Sequence, residues 1–512
     1  MLALEAMGWL VLFVLELVCG ARFFSAAVSE EMWRVMDIMQ DPDLMQMFRN
    51  TLPNTLNTTV GFTDSDTEPD TFVITGDIPA MWLRDSTNQV LPYIQFADKD
   101  SRLKRMLFGV LNRQVFSILS GDVYANAFQE TDLVPGPHVD DATTKWVDGK
   151  MVDAMDNWLI FERKFEIDSL AAVLRLSFEL SGLAGFQKMF LTSESDWLRA
   201  IRLIVATARV QQAGTDEELD STGGYAYTFQ RSSPEPLDSL VQGVGNPAKR
   251  CGLVRSGFRP SDDRVLLPFH VPGNAMFATY LEKITPMISM LDAEFGQECA
   301  ALATEIKTAL KEHGQVKAKV GQEWKTVYAY EVDGFGNYYM IDDANIPGLL
   351  SMPYYDFSGY DDPIYLNTRE LILSNKNPYY FAGEYGAGIG GAHVFLDHIW
   401  PMAIAMQGIT ALKRMESGNV TKLQQAELLS EVRTCLSTLL HTTDGELMMH
   451  ESFLKTNPAV YTRSWFAWAN SLFGEFILSL YNSSNKDARG LLTEKYAAGK
   501  VGGSNAAATV YV

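Results

Sequence analysis

The sequence predicts an all-α fold in which helices pair side by side into a closed ring and long loops gather at one end to line a pocket. Three observations support that class. Apolar residues recur at helical spacing along most of the chain, strand signals are few, and no Pro- or Ser-rich linker, short repeat or low-complexity block interrupts the 512 residues. A ring builds one core around an axis, so it suits a chain longer than the usual domain of about 100–150 residues.

Leu103, Leu107, Val110, Leu111, Val115 and Ile118 form the first stripe. Leu170, Leu174 and Phe178 form a second, stopped near Gly182. Met276, Phe277, Tyr280, Leu281 and Ile284 form a third, which Pro286 is expected to kink or end. Leu302, Ile306, Ala309 and Leu310 run to a stop at His313-Gly314. Leu428, Val432, Cys435 and Leu439 make another, and Phe466, Ala469, Phe473, Ile477 and Leu480 the last. Tyr328 to Tyr339 and the residues near Val510 read as short strands.

Two units follow. Residues 1–28 read as a leader: Met7 to Leu15 is an apolar run with small residues after it at Ser25, Ala26 and Ala27. Glu5 and Glu16 flank the run and no Lys or Arg precedes Arg22, so a misassigned start or a packed N-terminal helix is the alternative. The run is short of the roughly 20 apolar residues of a transmembrane helix. Residues 29–512 read as one domain. With sequons at Asn57, Asn419 and Asn482, the leader points to secretion or the lumen of the secretory pathway.

A formal net charge of -21 repels phosphate backbones and anionic lipid, which disfavours nucleic-acid and membrane-surface roles. Hydrophobic content of 47% allows a large core. Cys19, Cys251, Cys299 and Cys435 lie far apart with no CxxC spacing, so a zinc site is not expected.

Four loops concentrate charge and aromatics. Thr75 to Ser86 carries Asp77, Trp82, Arg84 and Asp85. Carboxylates grip adjacent sugar hydroxyls and aromatic faces stack on sugar C–H surfaces. A capped helix start with an Arg84–Asp85 ion pair reads equally well from composition. Ser256 to Asp263 places two adjacent acids after Arg259-Pro260; each raises the other's pKa, which suits a proton donor, and a simple Ser-Asp-Asp turn is the bland reading. His450-Glu451 follows apolar Leu447 to Met449, so Glu451 is a candidate general base or a surface acid at a loop end. Gly388 to Val394 holds His393 in a glycine-rich loop that continues to Trp400-Pro401 and lacks the register of a nucleotide site. Asp168 or Ser169 could cap the helix after Phe165, and Arg463 and Trp465, which open the last helix, could face the pocket.

Taken together, these segments resemble the exo-α-1,6-mannosidases of glycoside hydrolase family 125. The matching pieces are TGDIPAMWLRDS, YANAF (Tyr124 to Phe128), ERKFEIDSL, SGFRPSDD, the GIGGAHV–IWP stretch, HESF and TRSWFAWANSLFGE, in the family's order from about residue 30 to about residue 480. The resemblance implies an (α/α)6 toroid that hydrolyses terminal non-reducing α-1,6-linked mannose with inversion and without metal or other cofactor. Its partner would be a mannose-containing oligosaccharide or glycoprotein glycan. In inverting enzymes the two carboxyl groups stand about 6.5–9.5 Å apart. Mapped onto this chain, the acid is Asp262 or Asp263, with preference for Asp262, and the base is Glu451. Asp77, Trp82, Arg84, Asp85, Asn126, Arg259, His393, His450 and Trp465 are the candidates for gripping mannose. Ile167 and Ala392 stand where the family pattern leads one to expect Leu and Pro, and the stretches 135–157 and 323–343 are longer than expected. Those insertions leave linkage preference open. A toroid glycosidase of another linkage or sugar and a non-catalytic glycan-binding protein are the alternatives.

Overall fold

The computed structural model describes residues 22–131, 136–147, 150–222 and 224–496, so most of the expected leader and the residues near Val510 lie outside the described residues. The chain is helix-rich. The main helices are α1 (Ala26–Ile38), α2 (Pro42–Thr51), α3 (Leu83–Val90), α4 (Ser101–Phe116), α5 (Ile167–Leu180), α6 (Asp196–Gln211), α7 (Val271–Leu291), α8 (Ala293–His313), α9 (Pro363–Ile372), α10 (Pro401–Glu416), α11 (Lys422–His441) and α12 (Ala467–Tyr481). Every predicted apolar stripe falls on one of them, apart from Ile118 and Phe466, which lie just outside α4 and α12. Pro286 does not end α7, which continues to Leu291. Its ring denies a hydrogen bond to the carbonyl of Glu282, but both residues are exposed, so water can replace that bond.

The helices sort into two layers. α10 packs on α12, α12 on α3, α3 on α5, and α5 on α7. Outside this row, α2 backs α12, α4 and α6 back α5, α8 backs α7, and α11 backs α10. The inner helices are buried almost all round: every residue of α3 is buried, and so are 12 of the 15 residues of α12. Between α7 and α10 an irregular segment takes a place in the row. The Asp342 carboxylate accepts from the Leu349 and Leu350 amides at 2.8 and 2.9 Å and holds this segment in place. At its end the Tyr354 hydroxyl donates to Glu475 of α12 (2.8 Å) and its ring stacks under Arg175 of α5 (4.6 Å). Arg175 in turn donates to Asn88 of α3 (3.3 Å) and lies near Tyr280 of α7. Side chains from four inner helices therefore meet around Tyr354.

The opposite ends of the inner helices are tied by three small antiparallel sheets. The first joins β1 (Met81–Trp82), β2 (Ala127–Phe128) and β3 (Ile160–Glu162); the second joins β4 (Phe269–His270), β5 (Glu331–Val332) and β6 (Tyr338–Tyr339); the third joins β7 (His398–Ile399), β8 (Ser452–Leu454) and β9 (Asn457–Thr462). β1, β4 and β7 each run within a residue or two into an inner helix, α3, α7 and α10. The longer stretches are also strands. Ala142–Val147 pairs antiparallel with Lys150–Asp153 on one side and with Thr228–Gln230 on the other, and Gln315–Val320 pairs with Glu323–Tyr328. One apolar core extends from Phe23 to Leu492.

Candidate active site

The N-terminal ends of α3, α10 and α12 converge on one pocket of about 430 Å³. Trp82 precedes α3 and Arg84 and Asp85 lie in its first turn; Trp400 precedes α10; Phe466 precedes α12 and Trp468 lies in its first turn. Thr75, Ile78, Pro260, Ser261, Asp262, Asn345, His393, Glu451 and Arg463 complete the wall. Unpaired N–H groups and the positive end of each helix dipole favour acids at this end.

The Ser256–Asp263 loop is a tight turn. Arg259 N donates to Asp263 O (2.8 Å) and Asp262 N to Arg259 O (2.9 Å), with Asp262 at φ 67°, a left-handed conformation that Asp tolerates. The turn separates the two acids. Asp262 lines the pocket, and its Oδ1 accepts from Trp82 Nε1 (3.2 Å), Arg84 Nη2 (3.3 Å) and Asn126 Nδ2 (3.3 Å). Asp263 points away and bonds His393 Nδ1 at 3.2 Å. The neighbour-induced rise expected for adjacent acids is absent at Asp262. Burial pushes that carboxyl up, but the Arg84 guanidinium and the Lys164 ammonium outweigh it and hold Asp262 well below the usual carboxylate range.

Glu451 also lines the pocket, just ahead of β8, its amide donating to Thr462 O at 3.2 Å. Arg463 Nε donates to Glu451 Oε1 (3.1 Å), and the same guanidinium pairs with Asp77. Burial opposes a charge on His393, but the Asp263 hydrogen bond and the charges of Asp263, Glu451 and Asp262 push its pKa up to about 9.

The other predicted residues stand around this pocket at different depths. Asn126 lies one layer behind, its amide facing Asp262 while its Oδ1 accepts from Lys164 N (3.1 Å). Arg259 is fully enclosed and donates to Glu331 at 2.8 Å; Glu331 also accepts from the Leu266 and Leu267 amides, so Arg259 braces the acid loop rather than lining the pocket. His450 is likewise buried, stacked on Tyr461 with ring centroids 3.8 Å apart and donating to Ser464 O at 2.8 Å. Trp465 covers Gly76, where φ is 135° and an added Cβ would stand 3.2 Å from its ring. Asp77 is on the rim, with its side chain 56% exposed.

Asp168 and Ser169 do not cap α5, whose start has no side-chain cap. Asp168 instead reaches Arg84 (3.4 Å), and Ser169 donates to Glu166 (2.8 Å). Sequence reasoning left out Thr75, Ile78, Asn345 and Trp468, which lie in the wall, and it did not place Glu166 beside Arg84. The apolar and short polar side chains among them carry no signal that separates a wall from a core. Among the described residues, no three His, Cys, Asp or Glu side chains converge as a metal-holding set. No described helix is long and apolar enough to cross a membrane.

The family model for metal-independent α-mannosidases, glycoside hydrolase family 125, matches residues 41–478. A Schizosaccharomyces pombe protein, the meiotically up-regulated gene 157 protein, is 37% identical over 465 residues, 90% of this chain and 86% of its own. A Streptococcus pneumoniae metal-independent α-mannosidase, solved in a non-productive complex with α-1,6-mannobiose, superposes with a TM-score of 0.75 at 32% identity, covering 90% of this chain and 99% of the other.

Proposed function

The chain belongs to glycoside hydrolase family 125, the metal-independent α-mannosidases, and on that footing we propose that it removes terminal non-reducing α-1,6-linked mannose as an inverting exo-hydrolase. The observation that carries this reading is the pairing of Asp262 and Glu451 in one aromatic-walled pocket. In the proposed reaction Asp262 delivers a proton to the glycosidic oxygen as the C1–O bond breaks. Glu451 takes a proton from a water whose oxygen bonds C1 from the opposite face, which yields β-mannose. Trp82, Trp400, Phe466 and Trp468 supply the apolar wall for the sugar ring. Arg84, Asp85 and protonated His393 offer polar partners for its hydroxyls, while Arg463 and Asp77 close the rim beside the base.

The α-1,6-mannobiose held by the Streptococcus pneumoniae relative supports a mannose-containing glycan as substrate. The proposed architecture is an (α/α)6 toroid of one domain, supported by the inner row of helices and the convergence on Tyr354. Its fourth inner position is taken by the irregular segment held by Asp342. The proposed location is the secretory pathway or outside the cell, supported by the apolar run ahead of Arg22 and by exposed sequon residues Asn57, Asn419 and Asn482. The leader expected over residues 1–28 would include Phe23, Ala27 and Val28, which are buried in the core, so we place any cut ahead of Phe23 instead.

The test is hydrolysis of α-1,2-, α-1,3- and α-1,6-mannobiose, with the first-formed anomer read by proton NMR. Release of β-mannose, fastest from the α-1,6 disaccharide, is expected. Initial α-mannose, or cleavage confined to another linkage, contradicts the mechanism or the specificity respectively.

A further inference from the structure

Four carboxylates surround one guanidinium beneath the pocket floor. Arg84 Nη1 lies 2.6 Å from Glu166 and 3.4 Å from Asp168, and its Nη2 lies 3.3 Å from both Asp85 and Asp262. The neighbouring cations are each shared with other acids, although Lys164 also acts on Asp262. Lys164 is engaged by Asp238 (2.5 Å) and Glu162 (3.5 Å), and Arg231 by Asp141, Glu162 and Asp238. Arg463 is held by Asp77 and Glu451, and His393 by Asp263. Four ionised carboxylates around one cation in a site this dry repel one another strongly, so the cluster keeps at least one proton.

Geometry decides where that proton sits. The Glu166 and Asp168 side chains are both 0% exposed, whereas that of Asp262 is 25% exposed to the pocket, and of the two enclosed acids only Glu166 shares the Asn126 amide with Asp262. Glu166 Oε2 accepts from Arg84 (2.6 Å) and Ser169 (2.8 Å), which leaves Oε1 as the oxygen to carry hydrogen. Oε1 and Asp262 Oδ1 each lie 3.3 Å from the same Asn126 amide nitrogen, which sets the two carboxylates side by side. We propose that Glu166 is the proton-holding partner of Asp262, a positioning residue that supplies through Asp262 the proton delivered to the leaving oxygen. Burial raises Glu166 despite Arg84, and the nearby charges of Asp262 and Asp168 add to the rise, consistent with this placement.

The inference rests on the hydrolase reading above. In the step, the Glu166 O–H bond breaks as its proton passes to the Asp262 carboxylate, and Asp262 protonates the glycosidic oxygen as the C1–O bond breaks. Glu451 accepts the proton of the attacking water. The turnover leaves Glu166 ionised and Glu451 protonated, and exchange with solvent restores both.

The experiment compares wild type with Glu166→Gln on two substrates. α-1,6-Mannobiose needs a protonated leaving group; 2,4-dinitrophenyl α-mannoside does not, because its phenolate departs unaided. Gln fills the same space, accepts from Arg84 and donates to Asp262, but has no proton to give. The expected result is a kcat loss of about 10²–10³-fold on mannobiose with KM within a few-fold, the scale of general acid catalysis. On the dinitrophenyl glycoside kcat should stay within a few-fold, and the alkaline limb of the mannobiose profile should move to lower pH. Equal losses on both substrates, or undiminished kcat on mannobiose, overturn the proposal. If Glu166→Gln does not fold, Asn126→Ser removes the amide between the two carboxylates and carries the same substrate-selective prediction. Wild type inactive on both substrates would instead overturn the hydrolase reading itself.

Discussion

Replacing Arg84 by Met should destabilise the protein by an amount that grows with pH. Arg84 is 3% exposed, lies over Trp468 at 5.9 Å and touches Asp85, Glu166, Asp168 and Asp262. Met fills most of the same volume, so the packing loss is small, about 1–2 kcal/mol. The charge loss is not small, because the carboxylates must then find another counter-ion or take up protons. Burial already pushes Asp85 up to about 6 and Asp168 up to about 7 while Arg84 pulls both down. Without the guanidinium the cluster folds with about one extra proton. A proton bound by the folded chain and not by the unfolded one costs about 1.4 kcal/mol of stability per pH unit. These folded-state pKa values are raised, so the protonated form is favoured at low pH and the penalty appears as pH rises. Between about pH 5.5 and pH 8.5 the variant should lose about a further 4 kcal/mol, which brings the total to about 5–6 kcal/mol, at or just above the range for a broken buried ion pair. With an unfolding entropy of about 1 kcal/mol/K for a chain of this size, the melting temperature should fall by about 1–2 °C at the acidic end and about 5 °C at the alkaline end. Differential scanning calorimetry of both proteins across that range is the assay. A depression of the melting temperature that does not change with pH would refute the shared-charge account of the pocket floor.

Two further outcomes follow from the same geometry. Asp262→Asn should lower kcat on α-1,6-mannobiose by about 10²–10⁴-fold, while Asp263→Asn should cost less and bring the His393 pKa down from about 9, because His393 loses the partner that keeps it charged; steady-state kinetics of both variants and an NMR titration of His393 distinguish the roles. Gly76→Ala should cost about 1–3 kcal/mol of stability and raise KM, since φ is 135° there and the new methyl presses on Trp465; a melting curve and a substrate titration read both effects.

The outer helices and much of the inner row were legible because their apolar stripes run for three or more turns. The stripe from Leu103 to Ile118 falls on α4 and on the turn that follows it, and the stripe from Phe466 to Leu480 on α12 and the residue before it. α3 showed in the sequence only as a helix start with an Arg84–Asp85 ion pair, an equal reading of that loop, since its eight residues include Arg84, Asp85, Ser86, Thr87, Asn88 and Gln89, all buried through polar contacts that no hydrophobic pattern records. Of the small sheets at the site only the stretch Tyr328 to Tyr339, which holds β5 and β6, was read as strand. Most of their strands have two or three residues, too few to show alternation, yet they set Ala127 opposite Trp82 and Glu451 beside Thr462. At the site, unusual density of charge and aromatics marked the right loops but not the depth of each side chain. Arg259 and His450 look equivalent in sequence to Arg84 and His393, and only tertiary pairing with Glu331 and Tyr461 sets them behind the wall. Asp168 reads as a helix cap because capping is local, whereas its actual partner Arg84 is 84 residues away.

The measurement that bears most directly on the central claim is release of free mannose from α-1,6-mannobiose in the presence of EDTA, comparing wild type with Glu451→Gln. The account predicts that wild type works in chelator and that the variant, which keeps the shape of the wall but cannot take a proton from water, loses nearly all turnover. A variant with undiminished activity would contradict the role of Glu451, and a wild type that cleaves no α-mannoside would contradict the hydrolase reading as a whole.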